Sequence, residues 1–89
     1  DADRLEQDAH LINQQTLIIW GDQDTVIPIK NGYKLHQEIL NSRFVILKDC
    51  GHVPQEEKSE IFTELVSEFA HDRKGKIESR EGDDVRLEL

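Results

Sequence analysis

The sequence predicts an α/β fold in three layers, with two parallel strands at about 16–21 and 43–48 flanked by helices at about 2–12, 30–40 and 57–71. Two continuous apolar runs, Leu17 to Trp20 and Phe44 to Leu47, suit strands covered on both faces. Between them lies a stretch whose apolar residues recur every three to four positions, so the order is strand, helix, strand. In such a unit the strands run parallel, the crossover is right-handed, and both following loops emerge at one edge of the sheet.

Each element has its own warrant. Ala2, Leu5, Ala9 and Ile12 recur at helical spacing behind an acidic start, which favours a short amphipathic helix at about 2–12. "TLIIWG", 16 to 21, is rich in β-formers and is stopped by glycine. "DQDTVIPIK" is a loop, because Pro28 biases Ile27 away from helical backbone. Ile29, Tyr33, His36 and Leu40, widened by Leu35 and Ile39, give one helical face that Gly32 weakens at its first turn. "RFVILK" repeats the strand signature, and Ile61, Phe62, Leu65, Val66 and Phe69 mark the apolar stripe of a last helix. The domain is thus expected to span 1–72. The remaining 73–89 carries mixed charge and two glycines without a sustained period, and is expected to be a disordered tail.

Composition excludes several functions. Nineteen acidic against eleven basic residues give a net charge of −8, and no Lys/Arg cluster is dense enough to neutralise a row of phosphates, so no nucleic-acid partner is expected. The longest apolar runs have four residues, which excludes a membrane span and a signal-peptide core. Cys50 is the only cysteine, so no internal disulfide forms, and a reducing, cytoplasmic setting fits. No methionine occurs anywhere, so residue 1 is not an unprocessed translation start and the chain is expected to be the downstream piece of something longer.

Asp24 lies four residues past Trp20 and His52 four past Lys48, which puts both on loops beyond strand C-termini, where open α/β sheets keep their ligand sites. Neighbouring strands are about 4.8 Å apart, so the two side chains can meet. An imidazole titrates near pH ~6.5 and does useful acid–base work once a carboxylate fixes its tautomer. The bland alternative for His52 is a loop histidine bonded to backbone. Asp22 competes with Asp24 for the acid role, and Asp49 lies near His52 in sequence; either also suits a solvated turn. Cys50 is a small buried hydrophobe or, less simply, a thiolate partner of His52. His10, His36, His52 and His71 are too scattered for a metal site, and no cofactor motif is present.

"TLIIWGDQDTVIP" followed fourteen residues later by "RFVILKDCGHVPQEEKSEIFTELVSEF" resembles the C-terminal end of an α/β-hydrolase of the esterase, epoxide hydrolase and C–C bond hydrolase group, over about 15–70. The shared features are a strand ending Trp-Gly, an acid three residues later, a second strand, and Gly-His ahead of a long last helix. The resemblance implies that Asp24 matches the family's catalytic acid and His52 its catalytic histidine, with Gly51 matching the glycine that lets the backbone turn so that the imidazole points into the site.

The departures matter as much. No Gly-x-Ser-x-Gly elbow occurs, and Ser42, Ser59, Ser67 and Ser79 all lack flanking glycines in that pattern. Gln15 and Ser59 stand where such proteins often have proline, and the oxyanion-hole segment and the first six strands have no counterpart. The chain would therefore supply the acid and base for hydrolysis of a small ester-like molecule, the substrate of a parent enzyme, and be inactive alone. A second expectation is a non-catalytic α/β module that self-associates, or binds another protein, through the exposed edge of its first strand.

Overall fold

The computed structural model describes residues 8–71, 81–82 and 84–88. Strand β1, Thr16–Gly21, pairs in parallel with β2, Ser42–Leu47, in a register running from Thr16 opposite Ser42 to Gly21 opposite Leu47. The crossover helix α1 is Lys30–Glu38. After β2 come a single turn of helix, α2, Pro54–Glu57, and the long helix α3, Ser59–His71. Most expected elements thus appear within two residues of their expected bounds.

The apolar runs are explained by position. β2 lies between two other strands in the order β1-β2-β3, and Phe44, Val45, Ile46 and Leu47 are all buried. Phe44 and Ile46 face α1 and pack with Ala9, Ile18 and Ile39, while Val45 and Leu47 face α3 and pack with Cys50, Leu65 and Val85. Helix, sheet and helix make the three layers. β1 is less covered, with Leu17, Ile19 and Trp20 only partly buried.

Two helix boundaries differ from expectation for local reasons. α1 stops two residues short of the expected 40: Ile39 turns to extended backbone and is buried, Leu40 is 92% exposed, and the Ser42 hydroxyl donates to the free Ile39 carbonyl at 2.6 Å. The last helix begins at Ser59 rather than 57, because Lys58 leaves helical backbone and separates it from α2. Of the helix expected at 2–12, residues 2–7 lie outside the described residues, and Ala9–Leu11 form a 3-10 turn closed by Ile12 N–H to the Ala9 carbonyl.

The expected disordered tail and two-strand sheet need correction. Residues 72–80 lie outside the described residues, but Val85–Glu88 form β3, antiparallel to β2, with Val85 opposite Leu47 and Glu88 opposite Phe44. Among the described residues the sheet is therefore mixed and three-stranded. The physical reason is that β2 would otherwise present an unpaired row of backbone groups, and "VRLE" alternates to match it. Val85 and Leu87 face the α3 core. Arg86 and Glu88 face α1, where Tyr33 Oη donates to Glu88 Oε1 and accepts from Arg86 Nη2, each at 3.1 Å.

Candidate active site

Hydrogen bonds couple the loops that follow β1 and β2. Asp22 N–H donates to the Leu47 carbonyl at 3.0 Å and Gln23 N–H to that of Cys50 at 2.8 Å, prolonging the strand ladder beyond the sheet. In return Cys50 N–H donates to Asp22 Oδ1 at 3.3 Å, and Gln23 Nε2 donates to Asp49 Oδ1 at 3.3 Å. Asp49 itself has φ 54, the left-handed region that aspartate tolerates better than most residues.

Asp24 divides its carboxylate. Oδ1 accepts the backbone N–H groups of Val26 and Ile27, both at 2.9 Å, so the short loop folds around its own side chain. The Ile27 carbonyl is held in turn by Trp20 Nε1 at 3.1 Å. Oδ2 is thereby left facing His52, whose Nδ1 lies 3.0 Å away. The Asp24 side chain is 5% exposed and that of His52 44%. A carboxylate only accepts, so Nδ1 carries the proton and donates, and the lone pair of the neutral ring resides on Nε2. Burial by itself raises the Asp24 pKa, but the hydrogen bond from His52 and those from Ile27 and Val26, with the nearby imidazole charge, outweigh it and hold the carboxyl below its ordinary value.

The structure separates the competing candidates. It brings Asp24 to His52, whereas Asp22 and Asp49 are engaged with Cys50 N–H and Gln23. Cys50 is fully buried, and burial, followed by the neighbouring Glu57 carboxylate, raises its thiol pKa, which disfavours a thiolate. His36 Nδ1 meets Ser42 Oγ at 2.7 Å at the end of α1, and His71 Nδ1 donates to the Ser67 carbonyl at 2.7 Å. His10 is exposed on the 3-10 turn. Among the described residues no three His, Cys, Asp or Glu side chains are grouped to hold a metal ion, and no helix is long and apolar enough to cross a membrane.

A cleft of about 120 Å³ adjoins the pair, lined by Ile19, Trp20, Asp24, Ile27 and His52. Sequence reasoning missed one residue beside it. Glu57 Oε1 accepts Gly51 N–H at 2.9 Å and Oε2 accepts Val53 N–H at 3.2 Å, one amide on each side of His52. Its only sequence signal is an acid five positions after a histidine, at the end of a turn opened by proline. Gly51 has no positive φ. The carboxylate end of Glu57 lies close over it, 2.9 Å from where a Cβ would stand.

Comparison with known proteins gives a consistent picture. A family model described as alpha/beta hydrolase fold matches residues 2–59. The Uncharacterized hydrolase YugF of Bacillus subtilis is 34% identical over 58 residues, covering 65% of this chain and 21% of that protein. A 2-hydroxy-6-oxononadienedioate/2-hydroxy-6-oxononatrienedioate hydrolase of Escherichia coli is 41% identical over 58 residues, covering 65% of this chain and 20% of that protein. The chain thus spans about a fifth of the length of these relatives. A crystal structure of a predicted CIB-like hydrolase from Thermoplasma acidophilum superposes with a TM-score of 0.75 at 32% identity, covering 81% of this chain and 35% of that one.

Proposed function

Since the chain belongs to the α/β hydrolase fold family, we propose that Asp24 and His52 are the acid and base of a nucleophile–histidine–acid triad whose nucleophile lies outside these 89 residues. The observation that carries the reading is the 3.0 Å contact between a nearly buried, carboxylate-favouring Asp24 and a half-exposed His52.

The arrangement suits the chemistry. Asp24 holds Nδ1–H, so Nε2 is the basic nitrogen and takes the proton of an attacking hydroxyl as its oxygen bonds to the substrate carbonyl carbon. The imidazolium that forms is stabilised by the Asp24 charge, and its Nε2–H then protonates the departing alkoxide as the ester bond breaks. Ile19, Trp20 and Ile27 beside His52 support a small ester-like substrate with an apolar portion. Without a nucleophile and donors for the oxyanion, the 89-residue chain is inert by itself.

Two assays test this. The chain should show no turnover of a chromogenic short-chain ester that His52→Ala removes; such a turnover would overturn its inertness. A chimera carrying residues 15–71 in place of the matching segment of the E. coli relative should hydrolyse that enzyme's own substrate, and His52→Ala in the chimera should lower kcat by about a thousandfold or more. An active chimera indifferent to His52→Ala sinks the assignment.

A further inference from the structure

We propose that Glu57 is a positioning residue for His52, clamping the amides of Gly51 and Val53 with its two carboxylate oxygens and so holding the imidazole against Asp24; the proposal rests on the Asp24–His52 reading above. Packing alone restrains the ring little, because its side chain is 44% exposed. What fixes the ring must then act largely through the backbone that carries it.

Glu57 acts at that backbone. Val53 N–H, at 3.2 Å, belongs to the peptide that follows His52, and Gly51 N–H, at 2.9 Å, to the peptide one residue before the one that precedes it; each meets a different oxygen of one carboxylate, so the backbone on both sides of the histidine is tied to a single group. Hydrogen bonds to a charged acceptor are stronger than neutral ones. α2 delivers the carboxylate: Pro54 is buried and opens the turn, Glu56 and Glu57 N–H return to the Val53 carbonyl, and the side chain of the fourth residue reaches back over the loop. The span differs from an ordinary capping box, in which the acid stands at the third helical position and bonds only the cap residue. Reaching past the cap to Gly51 brings the carboxylate close over position 51, where a Cβ would come within 2.9 and 3.2 Å of the two oxygens, so glycine allows the clamp its closest approach. The other side of the loop is anchored separately, by Cys50 N–H to Asp22 Oδ1. The amides of 50, 51 and 53, on both sides of His52, are thus accepted by two carboxylates.

A mere cap for α2 would affect stability alone, whereas a positioning residue also affects the state of the ring. The test uses the 15N-labelled chain at about pH 8, where a free imidazole is neutral. Long-range proton–nitrogen correlation of the His52 ring reports which nitrogen holds the proton, and hydrogen exchange reports the Gly51 and Val53 amides. In the wild type Nδ1 should hold the proton. In Glu57→Ala the two amides should exchange about tenfold faster or more, and the ring should shift toward a mixture of tautomers. Glu57→Gln, which keeps one acceptor oxygen, should fall between them. Faster exchange with a wild-type ring pattern would reduce Glu57 to a cap and overturn the proposal, as would unchanged exchange. If the alanine variant unfolds, the glutamine variant decides by the same two readouts. Asp24→Asn separates this from the underlying reading: a ring pattern unaltered by Asp24→Asn refutes the Asp24–His52 pairing itself, whereas a pattern altered by Asp24→Asn but not at Glu57 refutes only the clamp.

Discussion

A Cβ atom on Gly21 would lie 2.2 Å from the carbonyl oxygen of Gly51, so the end of β1 and the loop after β2 touch backbone to backbone shortly before Asp24 and His52. Neither partner in that contact is a flexible side-chain end. Gly21→Ala should therefore destabilise the chain by about 1–3 kcal/mol or more and separate Asp24 from His52. Urea unfolding checks the first part and the His52 ring tautomer the second; a loss of stability within experimental error would show that the loops can part freely.

Acid stability should depend on Asp24. Its folded carboxyl binds a proton less readily than the unfolded one, so it contributes stability above its ordinary value of 3.8 and progressively less as pH falls through the lower folded value. Urea midpoints measured from about pH 6 downward should fall more steeply below that ordinary value for the wild type than for Asp24→Asn. Parallel curves would remove the coupling between this carboxyl and folding.

Asp49, at φ 54, tests backbone strain in the same loop. Asp49→Gly should be tolerated, losing the bond from Gln23 but gaining an unstrained residue, whereas Asp49→Val should lose about 1–2 kcal/mol because a β-branched residue is penalised there. Thermal melts of the two variants give the comparison, and equal melting temperatures would contradict it.

The docking of β3 should depend on Tyr33. Its hydroxyl links Glu88 and Arg86 to α1, so Tyr33→Phe should lower stability by about 0.5–1.5 kcal/mol and speed hydrogen exchange in Val85–Glu88 more than in β1. Uniform exchange across both strands would show that Tyr33 is not specific to that strand.

The two parallel strands and the meeting of Asp24 with His52 were legible because they rest on local signals: unbroken apolar runs, a glycine stop, and loop lengths that set both residues beyond one sheet edge. β3 was not, since "VRLE" is four residues within a charged stretch and its partners are remote, Tyr33 lying 55 positions from Glu88. The choice between Asp22 and Asp24 depended on turn geometry: Val26 and Ile27 tie one oxygen of Asp24 and orient the other, which spacing does not encode. Glu57 sits in a run of acids that a local reading assigns to solvent. Only the back-folding of α2 reveals its partners.

The reciprocal bonds among Asp22, Gln23, Leu47 and Cys50 make the two loops heritable only together. A recombination breakpoint placed between Asp24 and Leu47 would join half of this fastening to an unmatched half from another sequence. Shuffled libraries should therefore recover stably folded offspring mainly from crossovers outside 21–57, as a single cassette.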